Sequence, residues 1–375
     1  MRKNPGGTDD TINSASDAGS GVLAGEVVAE FRGSSLIGRL KEWWAFQTMP
    51  RLDWVQLEVT TRCNASCRYC PRTVYRSSWI DRDLSWETFR LLYPVMKQTR
   101  MVHLQGWGEP LLHPCLFDMI ALAKKAGCVV GTTTNGMLLD RRTAVRLVES
   151  GVDHVAFSLA GVGDQNDEAR RGTRFSAVLE AIAGLAAEKK IRRQPTPVIG
   201  VAYLLLRSHL PDIGRMIPAL AGVGVQQIVV STLDFVAHRD LAEEYLAPAD
   251  QAAYGQLKFR FEQMSEEARR QGLALYGNLV LPDPEGRVCT ENPCRAVFVS
   301  SDGSISPCAF AGIPAERLSC VAGGKESNYQ RLTFGAINNE TLPAVWKSAA
   351  YREFRASFGR QPHPLCQNCA KRPKR

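Results

Sequence analysis

Short β-branched segments and longer amphipathic segments alternate along the middle of this 375-residue chain. Such alternation predicts a parallel sheet with helical crossovers, because consecutive parallel strands need a long connection between them. The predicted strands are residues 55–60, 101–105, 129–134, 154–159, 198–205 and 227–231, with a further one at 273–276. The predicted helices are residues 85–97, 116–126, 140–150, 174–190, 210–221 and 248–271. We therefore expect an α/β fold with ligands at the carboxyl ends of its strands.

The composition is that of an ordinary globular protein, with 45% hydrophobic and 22% charged residues. The eleven cysteines are odd in number and clustered, and no signal-peptide pattern precedes them, which favours metal chemistry in the cytoplasm. The most apolar stretch, residues 198–206, is shorter than the roughly 20 residues of a membrane span. The net charge of +8 gathers partly at the chain ends, and no nucleic-acid-binding module is recognisable, so a nucleic-acid partner is not expected.

Three cysteines, Cys63, Cys67 and Cys70, follow the first predicted strand with the spacing Cys-x3-Cys-x2-Cys. Structural zinc takes four protein ligands, whereas an iron–sulfur cube held by three thiolates keeps one iron open for another ligand. The spacing therefore predicts a reactive iron–sulfur cluster, and a zinc site that borrows a distant fourth cysteine is the alternative.

The cysteine loop resembles that of the radical S-adenosylmethionine (radical SAM) superfamily, including the aromatic Tyr69 before the third cysteine. Three further motifs follow in the order of that family: Gly106-Trp107-Gly108-Glu109-Pro110, Thr133-Thr134-Asn135-Gly136 and Phe157-Ser158-Leu159-Ala160-Gly161. Trp107 departs from the pattern, since the family usually has glycine there. The resemblance implies a partial (β/α)6 TIM-like barrel for residues 51–280.

The same resemblance implies a 4Fe-4S cluster that binds S-adenosylmethionine and cleaves it to methionine and a 5′-deoxyadenosyl radical, which abstracts hydrogen from a substrate. The residues that it places against the cofactor are Tyr69, Gly106, Gly108, Glu109, Asn135, Ser158 and Arg171. Arg171 would pair with the carboxylate, and Arg170 is its alternative. Without the family, Ser158 and Arg171 would be interpreted as a strand-end hydroxyl and a surface arginine.

A second cysteine set consists of Cys294, Cys308, Cys366 and Cys369. It resembles the C-terminal SPASM and Twitch extensions of radical SAM enzymes, although a full SPASM region has further cysteines after the last pair. The resemblance implies one auxiliary 4Fe-4S cluster that relays electrons. Structural zinc is the alternative for two cysteine pairs, and Cys289 and Cys320 are open replacements for one of the four ligands.

The predicted organisation is a disordered segment, an amphipathic helix, the barrel and an auxiliary cluster domain, at residues 1–33, 34–50, 51–280 and 281–375. Leu36, Ile37, Leu40, Trp43 and Trp44 recur at helical spacing in the second of these. We expect that helix to pack beneath the barrel, with a membrane surface as the alternative.

The substrate is the least constrained part of the prediction. Residues 51–76 and 331–335 look like a subgroup that matures the cofactor of tungsten-containing aldehyde oxidoreductases. Oxidation of a small-molecule alcohol, with Asp234 or His238 as base, and modification of a peptide are alternatives within the class. A ferredoxin or flavodoxin would supply electrons. A non-catalytic iron–sulfur or zinc scaffold is the alternative outside the class.

Overall fold

The structure is a computed structural model, and it describes residues 35–246, 248, 250–277, 289–316, 318–322, 325–367 and 369–372. The expected disorder of residues 1–33 and the expected domain boundary near residue 281 lie outside these ranges.

The described residues form a nine-stranded sheet and a two-stranded sheet. The large sheet contains β1 (Leu52–Leu57), β2 (Thr99–Leu104), β3 (Val129–Thr134), β4 (His154–Leu159), β5 (Val198–Leu205), β6 (Gln227–Thr232), β7 (Ala274–Gly277), β8 (Ala296–Val299) and β9 (Ile305–Ser306). The small sheet pairs β10 (Leu318–Ala322) with β11 (Lys325–Tyr329) in antiparallel fashion.

The strand order of the large sheet is β7-β6-β5-β4-β3-β2-β1-β8-β9. Strands β1 to β8 pair in parallel, and β9 is antiparallel to β8. The two edge strands, β7 and β9, do not pair with each other, so the barrel is partial. The predicted α/β partial barrel is thus confirmed.

Thirteen α-helices are present in the described ranges. They are α1 (Leu36–Gln47), α2 (Pro71–Val74), α3 (Trp86–Arg90), α4 (Tyr93–Met96), α5 (Leu116–Lys125), α6 (Arg141–Glu149), α7 (Asp164–Ala169), α8 (Phe175–Ile191), α9 (Met216–Leu220), α10 (Gln251–Arg270), α11 (Leu342–Lys347), α12 (Ala349–Ser357) and α13 (Pro364–Gln367). Short 3-10 helices occupy Arg76–Ser78, Pro110–Leu112, Arg207–Arg215 and Arg239–Glu244.

Two predicted helices are interrupted where a proline removes a backbone donor. The predicted helix 85–97 is split into α3 and α4, and Pro94 lies in the first turn of α4, a position that proline tolerates. The predicted helix 210–221 is mostly a 3-10 segment that contains Pro211, followed by the short α9. The other crossovers begin where predicted, and Asp140 and Asp250 cap α6 and α10 through their side chains.

The main core lies between the outer face of the barrel sheet and the crossover helices. Val155, Phe157 and Leu159 on β4 are fully buried and belong to the same cluster as Leu147 of α6 and Ile182 of α8. Ser158 has the opposite direction in the strand and is half-buried on the inner face. Because successive side chains of a strand point to opposite faces, polar side chains such as Ser158 face the interior of the barrel.

Strand β8 comes from the C-terminal region and was not predicted as part of the barrel sheet. It pairs with β1 from Trp54 opposite Ala296 to Leu57 opposite Val299. The cysteine-rich region is therefore joined to the barrel by backbone hydrogen bonds.

Helix α1 was expected to pack beneath the barrel through its apolar side, but the structure shows that it does not. Leu36, Ile37, Leu40, Trp43 and Trp44 are all exposed. Its C-terminal end instead contacts α11, where the Lys347 ammonium donates to the Ala45 carbonyl at 3.1 Å. Among the described residues, no helix has the length and apolarity that a bilayer crossing requires.

Candidate active site

The three-cysteine loop begins just after β1 and is tied down on several sides. The Arg62 guanidinium donates to Asp83 from Nε at 3.0 Å and from Nη2 at 2.5 Å. The indole of Trp79 donates to the Thr61 carbonyl at 3.2 Å. Cys70 stands at the N-terminus of α2, and its amide donates to the Cys67 carbonyl at 3.1 Å. The loop is therefore held in place by groups outside the cysteines.

The cysteines of this loop lie in a poorly solvated pocket and affect one another. Cys63, Cys67 and Cys70 are free and half-buried. Burial raises the pKa of Cys63, and it raises that of Cys70 to about 12, with the nearby Cys67 adding to both. Three thiolates so close together need a bound cation to offset their charge, and a cationic iron centre supplies it. The donor set therefore fits an iron–sulfur cluster.

A single metal ion fits less well. Within the described ranges, no three His, Cys, Asp or Glu side chains are grouped as the ligands of one ion. In a cube each thiolate binds a different iron, so its ligand sulfurs lie further apart than they would around one zinc. The loop therefore offers what an iron–sulfur cube requires, one thiolate for each of three irons.

The Glu109 carboxylate joins the second and third motifs. Its Oε1 accepts from the Thr134 hydroxyl at 2.7 Å, and its Oε2 accepts from the Asn135 amide at 2.7 Å. Burial raises the pKa of Glu109, while these donors oppose the rise. The Asn135 side chain in turn donates to the Asn64 side-chain oxygen at 2.7 Å, beside Cys63. Glu109 and Asn135 therefore lie together at the cysteine loop.

Gly106 and Gly108 allow the second motif to lie against the chain that follows β1. A Cβ on Gly106 would come within 2.3 Å of the Glu58 Cγ, and one on Gly108 within 2.4 Å of the Thr60 carbonyl oxygen. The amides of Gly108 and Glu109 donate to the carbonyls of Thr60 and Arg62 at 3.1 and 2.8 Å. In this structure the glycines serve backbone contact with the cysteine loop.

Of the two neighbouring arginines, the structure turns Arg170 inwards. Its Nη1 donates to the Tyr69 hydroxyl at 2.6 Å, whereas the Arg171 side chain is exposed. The Arg170 Nε is buried and has no hydrogen-bond partner in the described part of the chain. An unpaired guanidinium donor beside the cysteine loop fits a carboxylate ligand such as that of S-adenosylmethionine. The structure therefore favours Arg170, the alternative, over Arg171 for this role, and the assignment stays a prediction.

Ser158 lies at the end of β4, half-buried on the inner face. Its position on the barrel interior agrees with the predicted cofactor pocket, and its role there stays a prediction.

The C-terminal cysteines that meet in one cavity differ from the predicted set by one residue. Cys289, Cys308, Cys366 and Cys369 line it together with Phe310, Tyr329, Phe354 and Phe358. Cys294 is exposed and does not line this cavity. Burial raises the pKa of Cys289 and of Cys366 to about 12, because an apolar enclosure disfavours the charged thiolate. The structure therefore favours Cys289 over Cys294 as the fourth ligand.

Asp234, the predicted base, is engaged in an ion pair. Its carboxylate accepts from the Lys371 ammonium at 2.8 Å and from the Thr232 hydroxyl at 2.9 Å. Lys371 also contacts Glu291 at 3.3 Å, so the ion pair joins the loop after β6 to the auxiliary region. His238, the alternative base, is exposed at the start of a 3-10 helix.

A cavity of about 620 Å³ lies next to this ion pair. Asp234, Tyr329 and Cys369 contribute to its wall, and so does Cys320, whose sulfur lies 3.6 Å from the Ser327 hydroxyl. Cys320 does not line the cavity that the four cysteines share. It is therefore a poorer replacement ligand than Cys289.

Some residues of the site have no decisive signal in the sequence. Arg170 and Arg171 are adjacent, and only the direction of the side chains distinguishes them. Thr134 lies within the third motif, but the motif alone does not show that its hydroxyl donates to the Glu109 carboxylate. Glu58, which accepts from the amides of Trp107 and Ser301 at 3.2 Å each, is buried at a domain contact that no local pattern reveals.

Two family models match the chain. Residues 57–203 match the Radical SAM superfamily, and residues 289–370 match SPASM, described as an iron-sulfur cluster-binding domain. The second match begins at Cys289, the cysteine that the structure turns inwards. In this family the first domain binds a 4Fe-4S cluster with S-adenosylmethionine, and the second binds an auxiliary iron–sulfur cluster.

Curated relatives cover most of the chain at low identity. The tungsten-containing aldehyde ferredoxin oxidoreductase cofactor-modifying protein of Pyrococcus furiosus is 26% identical over 86% of this chain and 88% of its own length. A PqqA peptide cyclase of Granulibacter bethesdensis is 24% identical over 84% of this chain and 79% of its own.

Two solved structures share the fold. Streptococcus suis SuiB bound to S-adenosylmethionine has a TM-score of 0.61 at 15% identity, with 88% of this chain and 75% of SuiB covered. Native anSMEcpe with bound AdoMet has a TM-score of 0.60 at 17% identity, with 84% and 86% covered. With the family models and the fold in agreement, the chain carries a radical SAM domain at residues 57–203 and a C-terminal SPASM domain at residues 289–370.

Proposed function

We propose that this protein reductively cleaves S-adenosylmethionine and uses the product to abstract hydrogen from the substrate of a maturation reaction. When bound, the cluster and S-adenosylmethionine supply the 5′-deoxyadenosyl radical that this chemistry needs. The observation that carries the proposal is the convergence of the cysteine loop, Glu109, Asn135 and the unpaired Arg170 donor at one end of the barrel.

The residues of the chain would bind and orient the cofactor. Cys63, Cys67 and Cys70 would hold the first cluster, and the buried Nε of Arg170 would donate to the carboxylate of the methionine moiety. The Glu109 carboxylate keeps residues 134 and 135 against the cysteine loop. The apolar cluster against which Tyr69 packs includes Val236 and Leu206, and would exclude water from the reacting centre.

We propose further that the substrate belongs to the maturation of a metal-containing oxidoreductase cofactor. The support is the Pyrococcus furiosus relative, which is named as a cofactor-modifying protein and aligns along nearly the whole chain. Peptide modification is the second candidate, favoured by the PqqA peptide cyclase and by the fold shared with SuiB, which has been solved bound to its precursor peptide SuiA.

The four cysteines Cys289, Cys308, Cys366 and Cys369 would hold the auxiliary cluster as an electron relay. A small electron-transfer protein such as ferredoxin or flavodoxin would reduce the first cluster. We assign the reaction to the cytoplasm, because the eleven free cysteines fit a reducing compartment.

The test of the proposed reaction is anaerobic reconstitution with iron and sulfide, followed by incubation with dithionite and S-adenosylmethionine. We expect 5′-deoxyadenosine from the native chain and none from the variant with Cys63, Cys67 and Cys70 all changed to Ala. Cys115→Ala is the matched control, because Cys115 is a free cysteine at the start of α5, outside both cysteine groups.

Equal formation of 5′-deoxyadenosine by the native and the triple-cysteine variant would refute the catalytic proposal and leave the scaffold alternative. Incubation with an unmodified tungsten or molybdenum pterin and, in parallel, with a precursor peptide separates the two substrate classes. If only the pterin or only the peptide changes in mass, and the change requires S-adenosylmethionine, that result identifies the substrate class.

A further inference from the structure

Trp107 lies between the two cysteine groups of the molecule. It stands in the second motif, at the position where the family usually has glycine, and its indole is half-buried against the auxiliary region. Its backbone neighbours contact the loop of the first three cysteines, whereas its side chain contacts the auxiliary region.

On the barrel side, the neighbours of Trp107 are fixed to the first cysteine loop. The amides of Gly108 and Glu109 donate to the carbonyls of Thr60 and Arg62, and Arg62 directly precedes Cys63. The close approach leaves no room for a Cβ at residue 108. Residues 106–109 therefore move with the loop that carries the first three cysteines.

On the auxiliary side, the Trp107 indole reaches the segment that follows Cys308. Its Nε1 donates to the Ala309 carbonyl at 3.3 Å, and its ring meets Phe310 edge-on with centroids 5.9 Å apart. Ala309 and Phe310 are the next two residues after Cys308, and Phe310 lines the cavity of the four cysteines. One side chain thus connects the surroundings of both cysteine groups.

The Trp107 backbone is fixed as well. Its amide donates to Glu58 Oε1, while Glu58 Oε2 accepts from the Ser301 amide in the turn between β8 and β9. The indole is therefore presented from a rigid base, and a shift of residues 308–310 is transmitted to the loop that it belongs to.

We propose that Trp107 couples the two sites, so that filling the auxiliary cysteine site orders residues 106–109 and strengthens binding of S-adenosylmethionine at the first site. This proposal rests on the proposed function, because it takes both cysteine groups as cluster sites. Ligation of Cys308 fixes the position of the Ala309 carbonyl, and the indole N–H passes that constraint to the second motif. Coupling between two binding sites is reciprocal, so the cofactor also strengthens the auxiliary site.

The first experiment needs neither S-adenosylmethionine nor the first cluster. In the Cys63/Cys67/Cys70→Ala variant, only the auxiliary site is loaded, and amide hydrogen exchange of a peptide covering residues 106–110 is followed by mass spectrometry. We expect loading to slow exchange about five-fold with Trp107, the factor that one net hydrogen bond contributes to an equilibrium constant. With Trp107→Phe, which retains a ring but has no N–H, we expect less than a two-fold change.

The second experiment measures the affinity for S-adenosylmethionine itself, by equilibrium dialysis without reductant so that no turnover occurs. Emptying the auxiliary site with Cys366→Ala and Cys369→Ala should weaken binding about five-fold when Trp107 is present and less than two-fold in Trp107→Phe. Trp86→Phe is the matched control, because Trp86 stacks on Phe89, does not line the cavity of the four cysteines and should leave the coupling intact.

Equal effects of auxiliary loading in the native chain and in Trp107→Phe would overturn the coupling, in either experiment. Failure of the proposed function is distinguishable, because it appears as no binding of S-adenosylmethionine by the fully loaded native chain while the exchange experiment still reports on Trp107. A chain that takes up no iron at the four C-terminal cysteines overturns both.

Discussion

Arg170 and Arg171 are neighbours in the chain, yet their guanidinium groups face different surroundings. We predict that Arg170→Gln weakens binding of S-adenosylmethionine at least ten-fold, because a hydrogen bond to a charged group contributes about 1.5–3 kcal/mol and the Arg170 Nε is buried without a partner in the described ranges. Arg171→Gln should change affinity less than two-fold, since that side chain is exposed. Equilibrium dialysis of the reconstituted variants measures both, and the opposite ranking would restore Arg171.

Cys289 and Cys294 likewise differ in their surroundings, since Cys289 lines the cavity of the other three cysteines and Cys294 is exposed. In a chain whose first three cysteines are changed to Ala, we expect about four iron atoms at the auxiliary site. Cys289→Ala should lower that iron content and bleach the cluster absorbance, because the residue lines the cavity with the other three cysteines. Cys294→Ala, exposed and outside the cavity, should retain both. Iron loss with Cys294→Ala alone would return Cys294 to the ligand set.

These two choices between candidate residues show what a sequence leaves undecided at the residue scale. The motifs place Cys63, Glu109 and Asn135 correctly near one another, because each follows a strand of the same parallel sheet. Adjacent arginines and two cysteines five positions apart differ only in which one turns inwards. That choice depends on loop packing against distant segments, which residue type does not encode.

The loop of residues 106–110 depends on glycine for its contact with the chain after β1. We predict that Gly108→Ala destabilises the protein by about 1–3 kcal/mol, because the new Cβ would lie 2.4 Å from the Thr60 carbonyl oxygen and backbone must move. S-adenosylmethionine affinity should fall with it. Urea unfolding and equilibrium dialysis measure the two effects.

Gly255→Ala is the matched control for that change. Gly255 lies within α10, and a Cβ there meets nothing within 4 Å, so alanine should stabilise the helix by up to about 1 kcal/mol. A Gly108→Ala protein as stable as the native chain would mean that the loop is free to move off the cysteine loop.

At the scale of elements, local patterns predicted the central strands best. Strands β3, β4 and β5 have the predicted bounds, because each is a β-branched or apolar run between turn residues. Strand β1 begins three residues earlier than predicted and ends at Leu57, since the chain beyond it pairs with the loops of Asp83 and Gly108 instead of continuing as a strand. Strand β8 was not assigned to the sheet because four apolar residues show no sign of a partner some 240 positions away.

At the scale of the whole molecule, the buried carboxyl of Glu58 lies at the contact between the two cysteine-bearing regions. Burial raises the pKa of Glu58 from 4.5 to about 7. The folded chain thus retains a proton that the unfolded chain loses, so this group's contribution to stability is complete below pH 4.5 and is lost as pH rises through about 7. The full difference corresponds to about 3 kcal/mol.

Glu58→Gln has no such titration. We therefore expect the native chain to lose up to about 3 kcal/mol of unfolding free energy relative to Glu58→Gln between pH 5 and pH 8. Urea unfolding of both proteins at a series of pH values measures the difference. Parallel curves would show that Glu58 is already ionised at pH 5 in the folded protein.

The pairing of β1 with β8 makes the SPASM region a part of the barrel sheet, and this predicts how the chain responds to a cut. A protease site introduced within residues 278–288 separates the chain between β7 and β8. We expect the two fragments to elute together in size exclusion, because backbone hydrogen bonds close both ends of the contact. The amides of Asp53 and Glu58 donate to the carbonyls of Arg295 and Val299 at 2.8 and 2.9 Å. Phe298 and Val299 are fully buried there and would be exposed if the fragments parted.

Urea should release the fragments. Val297→Asp should release them without urea, because it introduces an unpaired charge into the core beside β1. Separate elution of the native fragments would mean that the auxiliary region is an independent domain, held to the barrel chiefly by the covalent chain. Their co-elution instead makes the two cluster sites parts of one folding unit, since β1, which precedes Cys63, then stays paired with β8 of the region that contains Cys308.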